Sequence, residues 1–313
     1  MNKFLHQRND FEDLINITAD QHKITPALVE KDYWIMHCLW GLKKQGFNFE
    51  LKGGTSLSKG FQIINRFSED IDIKFEPPKE LDVKTSKNHD KTEHVNSRKK
   101  FYDWLASGIN IQDITASRDT DYDNKTLFSG GIRLTYETRT SELKGVKPFI
   151  LLEAGFDNTT PNTPRDITSW AFQFAKNKKI DFLDNSALNI LCYNPEYTFV
   201  EKLQTISTKY RLFRSSNETP ANFLRHYYDI FCLLNRNEII QFIGTEKYKD
   251  YKRQRFRNKD EICIAKNEAF TLKDAEQFNK LKELYKKTTA LYYAGQPELS
   301  EIIDTIKKHI DKL

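Results

Sequence analysis

Apolar and polar residues alternate strictly from Asp70 to Phe75: Ile71, Ile73 and Phe75 point one way and Asp70, Asp72 and Lys74 the other. That period of two predicts a strand with one buried and one polar face. Just ahead of it, Leu57, Phe61 and Ile64 fall on one face of a predicted helix, Thr55 to Asn65, which opens on Gly53-Gly54. Phe47, Phe49 and Leu51 alternate with polar residues and predict a short strand running into the glycine pair. Residues 10–45 read as helical, with Thr25 a candidate N-cap, Pro26 at the first helical position, and Leu28, Ile35, Leu39 and Leu42 at helical spacing.

Beyond Phe75 the polar stretch 76–98 begins with Pro77-Pro78 and predicts a loop, followed by a helix around Lys99–Gly108. GIRLTYET, Gly131 to Thr138, alternates as a strand, and FILLEAGF, Phe149 to Phe156, reads as a mostly buried strand with Glu153 inside it. From Pro195 onward the pattern is helical to the end, and no internal repeat is present. The expectation is an α+β part over residues 1–190, a mixed β-sheet flanked by helices, and a helical domain over 191–313.

Composition changes this picture little. A chain of 313 residues with 38% hydrophobic residues, 22 Phe and 14 Tyr is long and aromatic enough to bury a core. A net charge of +5 makes nucleic acid a partner to consider and nothing stronger. Cys38, Cys192, Cys232 and Cys263 are far apart, three of them in apolar surroundings, which predicts free thiols rather than disulfides or a metal site. No apolar run reaches the length of a membrane span, about 18 residues. Met1-Asn2-Lys3 is not followed by the apolar segment of a signal peptide, so the expected location is the cytoplasm.

The chemistry is concentrated in LKGGTSLSKGFQIINRFSEDIDIKF, Leu51 to Phe75. A Gly-Gly turn after a strand lets backbone approach a ligand closely, and a following helix offers free N–H groups and the positive end of its dipole, which suits a triphosphate. Thr55 and Ser56 are candidate hydroxyl donors. Asp70 and Asp72 on one strand face repel each other unless a cation lies between them, and hard oxygen ligands suit Mg²⁺ or Mn²⁺. Singly, the glycines also fit a tight turn and the aspartates a solvated edge strand. In this order and this close together they describe a nucleoside triphosphate site. Glu153, in an otherwise apolar strand, completes a three-carboxylate cluster if its strand lies beside Asp70–Phe75; a strand-end position facing water is the alternative.

The set GGTSLSK, SEDIDIKF and LLEAGF resembles the nucleotidyltransferase superfamily of the DNA polymerase β type. With VEKDYWIMHCL upstream and EKLQTI and LRHYYDIF downstream, about Leu28 to Leu234 resembles the AbiEii/AbiGii nucleotidyltransferase toxins, the MenT enzymes among them. The resemblance implies that Gly53, Gly54 and Thr55 hold phosphates, that Ser68 borders the phosphate site, and that Asp70 and Asp72 bind metal. It also implies Lys202 on the nucleotide phosphates and Asp229 closing the Arg-His-x-x-Asp motif, with Glu153 the third acidic position. Lys202 beside the apolar face of Phe199, Leu203 and Ile206 is placed to snorkel its ammonium into a cleft. Arg225 and Asp229 are spaced to pair along one helix.

The resemblance further implies RNA as acceptor, tRNA 3′ ends in particular, and a toxin role with a separately encoded antitoxin. Two basic segments are candidate RNA contacts. KYKDYKRQRFRNK, Lys247 to Lys259, holds seven basic residues interleaved with Tyr248, Tyr251 and Phe256; a solvated helix face is the other reading. Lys84, Lys87, Lys91, Arg98, Lys99 and Lys100 form the second. The same chemistry on a protein hydroxyl, and a non-catalytic nucleotide- or RNA-binding module, stay open.

Overall fold

The computed structural model describes residues 3–86, 88–216, 218, 220 and 222–313. Lys87 of the second basic segment and Met1-Asn2 at the amino terminus lie outside the described residues. The chain forms two compact units, one of Met1–Phe61 with Phe67–Tyr193 and the other of Gln62–Arg66 with Asn194–Leu313. The class is α+β.

The first unit is built on a seven-stranded mixed sheet. Its strands are β1 (Phe49–Lys52), β2 (Ile71–Phe75), β3 (Thr115–Asp119), β4 (Ser129–Thr135), β5 (Ile150–Gly155), β6 (Asn162–Ile167) and β7 (Ala187–Tyr193), in the order β3-β4-β5-β2-β1-β7-β6. β2 is interior, antiparallel to β1 and parallel to β5. Its alternation is realised in full: Ile71, Ile73 and Phe75 are buried, while Asp72 and Lys74 on the other face are half-buried. Packed with the sheet are α1 (Phe11–His22), α2 (Pro26–Lys44), the single turn α3 (Gly53–Thr55), α4 (Thr92–Gly108) and α5 (Trp170–Asn177).

α2 begins at Pro26 and is buried nearly all round, so that Glu30, Lys31 and Asp32 lie in the interior with Leu28, Ile35, Leu39 and Leu42. The predicted helix Thr55–Asn65 is shorter than its apolar spacing suggests. α3 passes into a π-helical turn, Ser56–Gly60, Gln62 takes a left-handed φ of 55°, and Gln62–Arg66 leaves to join the second unit. α4 starts at Thr92, within the predicted loop, because its first turns are polar and carry no apolar period. β3, β6 and β7 add to the strands expected from pattern.

The second unit is helical: α6 (Pro195–Ser216), α7 (Arg225–Leu234), α8 (Asn237–Phe242), α9 (Glu246–Arg255), α10 (Glu268–Thr271), α11 (Ala275–Lys286) and α12 (Leu299–His309). α6 turns Phe199, Leu203 and Ile206 inward. The Gln62–Arg66 segment is tied in by a bridge between Arg66 and Tyr292 and by the Tyr228 hydroxyl, which accepts from the Asn65 amide at 3.2 Å. Cys38 and Cys192 are buried free thiols, Cys232 is half-buried, and Cys263 is exposed.

Candidate active site

β1 delivers the chain to Gly53, whose φ of +72° is one that side-chain-bearing residues rarely adopt. A Cβ there would collide with Oδ2 of Asp72, so the turn and the carboxylate are in direct contact and only glycine fits. Thr55 and Ser56 are fully buried, and their hydroxyls donate to main-chain carbonyls: Thr55 to Asp70 at 2.5 Å, Ser56 to Tyr193 at 3.5 Å. Both side chains thus pin the turn to the neighbouring strands, and Thr55 fixes the backbone of Asp70. Ser68 is half-buried in the approach to β2.

Register pairs Asp72 on β2 with Glu153 on β5, and Lys52 on β1 with Asp72. The expected neighbourhood of the two acidic strands is therefore present, and Glu153 is half-buried within the strand rather than at a wet end. Burial, and then the negative charges of Asp72 and Asp70, push the Glu153 carboxyl up to about 8. Burial also raises Asp70, against the pull of Lys147, whose ammonium sits 2.7 Å from Asp70 Oδ1. Among the described residues no three such groups form a preassembled metal cage. The donor set nonetheless fits a hard divalent cation: all-oxygen ligands, two of them perturbed by burial, with mutual repulsion that a cation would relieve.

Several residues around this cluster carry no signal in the local pattern. Lys147 precedes β5, and its main chain is clamped. Its N–H donates to Glu69 Oε2 at 3.0 Å, and its carbonyl accepts from Lys31 Nζ at 2.7 Å. Lys31 Nζ also lies 3.4 Å from Glu69 Oε2, and both side chains are buried. Burial lowers the Lys31 ammonium, opposed by Glu69. Asp32 pairs with Lys59 of the π turn at 2.6 Å and accepts from the Trp170 amide at 2.8 Å. Glu30 accepts from Thr138 Oγ1, the Arg139 and Thr140 amides and Thr140 Oγ1 at 2.6–3.1 Å. The VEKDY stretch thus supplies three consecutive side chains that hold the surroundings of the carboxylates. Its one legible clue is three charged residues in a helix otherwise rich in apolar ones.

The second unit holds its own charged cluster. Lys202 on α6, nearly buried, meets Asp229 Oδ2 at 2.6 Å. Asp229 on α7 is fully buried and is also gripped by Arg66, Nε to Oδ1 at 2.6 Å and Nη2 to Oδ2 at 2.7 Å. Burial alone would raise this carboxyl; Arg66 and Lys202 outweigh it and hold it well below the usual range. The same carboxylate keeps Arg66 protonated despite burial. Asp229 is bound to these two cations, Arg66 and Lys202. Burial, and then Lys202, drive His226 well below an ordinary imidazole.

The basic segments are more structural than their composition suggests. Tyr248 and Phe256 are buried, the Tyr248 hydroxyl donates to the Leu313 carbonyl at 2.7 Å, and Tyr251 donates to Glu201 at 3.0 Å. The interleaved aromatics therefore pack and bond within the unit instead of forming a base-stacking platform. Lys247, Arg257 and Lys259 remain exposed. In the other segment Arg98 is fully buried and donates to the carbonyls of Lys84, His89 and Thr126 at 2.6–2.8 Å, while Lys91, Lys99 and Lys100 are exposed.

The family model described as nucleotidyl transferase AbiEii toxin, Type IV TA system, matches residues 39–305, a stretch that includes the glycine turn, both acidic strands, Lys202 and Asp229. A comparison with curated proteins returns no match.

Proposed function

The chain belongs to the AbiEii nucleotidyl transferase toxin family of type IV toxin–antitoxin systems, and from that premise we propose that it transfers a nucleoside monophosphate from a nucleoside triphosphate to an RNA hydroxyl, the 3′ end of tRNA. The observation that carries this reading is the contact of Gly53 with Asp72, which is paired with Glu153 on the next strand and lies two residues after Asp70: a glycine turn set directly against one of three neighbouring carboxylates. The enzyme is a nucleotidyltransferase, and its family implies an antitoxin partner and a nucleoside triphosphate substrate. No described helix is long and apolar enough to cross a membrane; we place its action in the cytoplasm.

Gly53, Gly54 and the peptide of Thr55 present backbone, not side chain, to the triphosphate, so the phosphates approach closely. Asp70, Asp72 and Glu153 would hold divalent cations, Mg²⁺ or Mn²⁺. Such ions, when bound, neutralise the triphosphate and acidify the acceptor hydroxyl. Glu153, paired with Asp72 across the two acidic strands, would share in holding the cation that acidifies the acceptor hydroxyl. Ser68 borders the phosphates. In the helical unit Asp229, locked by Arg66, fixes the position of the Lys202 ammonium, and we assign Lys202 the phosphate-contacting role that the family resemblance gives it. Positioning and charge stabilisation supply most of the rate.

The test is incubation of the purified chain with total tRNA, Mg²⁺ and each α-³²P-labelled nucleoside triphosphate in turn, with Asp72→Asn as control. Label on tRNA that is lost in the variant is the expected result, and it names the nucleotide. Label confined to a protein band replaces RNA by a protein hydroxyl as acceptor. No label from any triphosphate, with folded protein, overturns transfer.

A further inference from the structure

Lys147 stands out because its main chain and its side chain are treated differently. The main chain is fixed by a buried ion pair, Lys31 with Glu69, one partner taking its N–H and the other its carbonyl. The side chain is about a quarter exposed and reaches 2.7 Å from Asp70 Oδ1, with the ammonium 5.1 Å from the centre of the Tyr122 ring. A lysine needed only for packing would not require its peptide clamped on both sides by buried charges. The arrangement aims one positive charge at one carboxylate. We propose that Lys147 is an intramolecular counter-ion for the carboxylate cluster: its ammonium neutralises Asp70 when no divalent cation is bound, and an incoming cation must displace it. Lys147 is thus a positioning residue that sets metal affinity, and Lys31 and Glu69 hold it on target.

Two observations favour displacement over a permanent pair. The lysine side chain is flexible and partly solvated, so the ammonium can swing away without disturbing its anchored peptide. The clamp on that peptide is made through its N–H and its carbonyl and not through the ammonium, so those hydrogen bonds survive the exchange. A fixed positive charge at Asp70 competes with a divalent cation both for the same oxygen and by like-charge repulsion.

This inference rests on the reading of Asp70 as a metal ligand, and the experiment separates the two. Mn²⁺ binding to the full chain without nucleotide is measured by electron paramagnetic resonance for the wild type, Lys147→Met, Lys147→Gln and Asp70→Asn. The expected result is binding about tenfold tighter in both Lys147 variants, the order of magnitude for removing one partly screened like charge, and loss of that binding in Asp70→Asn. A folding defect would weaken binding, not tighten it. Unchanged or weaker affinity in both Lys147 variants, with Asp70→Asn still defective, overturns the counter-ion role and leaves the metal reading intact. Binding by Asp70→Asn equal to the wild type overturns both.

Discussion

Two of the acidic sites in this protein are electrically opposite. Asp229 is fully buried and bound by two cations, Arg66 and Lys202, so its carboxyl is held well below the ordinary range. Of the three carboxylates Asp70, Asp72 and Glu153, Asp70 is paired with Lys147, Lys52 also lies near Glu153, and burial with mutual repulsion still raises Asp70 and Glu153. The Asp229 carboxylate has two cations to itself, one more positive charge than it needs. In the strand cluster burial and repulsion outweigh the nearby lysines, so Asp70 and Glu153 hold their protons more tightly than free carboxyls do. A buried carboxylate therefore says little until its partners are counted, since one arrangement locks structure and the other creates demand for a ligand.

The sharpest way to break the contrast is to remove the doubly paired carboxylate. Asp229→Ala leaves Arg66 and Lys202 buried without their counter-charge and is expected to cost about 3–5 kcal/mol in urea unfolding. Because the folded carboxyl is depressed, its stabilisation is present above its unfolded value near 4 and is lost as pH falls through the lower folded one. A wild-type unfolding midpoint at pH 7 would mean the grip seen on Asp229 carries no stability.

Next in size is Gly53→Ala. It forces a side chain into a φ of +72° and against Asp72, and is expected to cost about 1–3 kcal/mol. It should also lower transfer by about 100-fold through displacement of the carboxylate. Full activity in this variant would show that the contact has slack.

The smallest effect has the opposite sign. Glu153 is raised to about 8, so stability lost to its ionisation sets in as pH rises above its unfolded value and is complete once pH passes the folded one. Without added metal, Glu153→Gln is expected to be more stable than the wild type at pH 8.5 by about 1–2 kcal/mol, discounted for its partial exposure, and equal to it at pH 4. Differential scanning calorimetry at the two pH values checks this; an equal gap at both would rule out ionisation as the cause.

The sequence made the two acidic strands legible and left their support hidden. Strict alternation marked β2, and the apolar run around Glu153 marked β5, because both strands are interior and bury what they display. β3 and β6 lie at the two edges of the sheet, where TASRD and NTPRDI bury little and so carry no strong period. The helix expected to reach Asn65 ends early because Gln62–Arg66 is taken by another unit, and local spacing has no access to that. Arg66, Glu69 and Lys147 are ordinary charged residues until folding brings each to a carboxylate or an amide far away in sequence. The aromatics of α9 mislead for the same reason: interleaved with lysines they suggest stacking on bases, yet the fold turns Tyr248 and Phe256 inward.

Glu30, Lys31 and Asp32 also bear on the order in which the molecule assembles. Successive residues of a helix point about 100° apart, so one turn of α2 reaches three ways at once. It meets residues 138–140, residues 69 and 147, and residues 59 and 170. The hydrogen bonds it makes there close loops of 38 to 138 residues. Closures of that length are entropically slow and gain nothing until the strands are paired. The fittings that aim the carboxylates are therefore expected among the later contacts to form, and a chain trapped before that step would hold Asp70 and Asp72 without the surroundings that orient them.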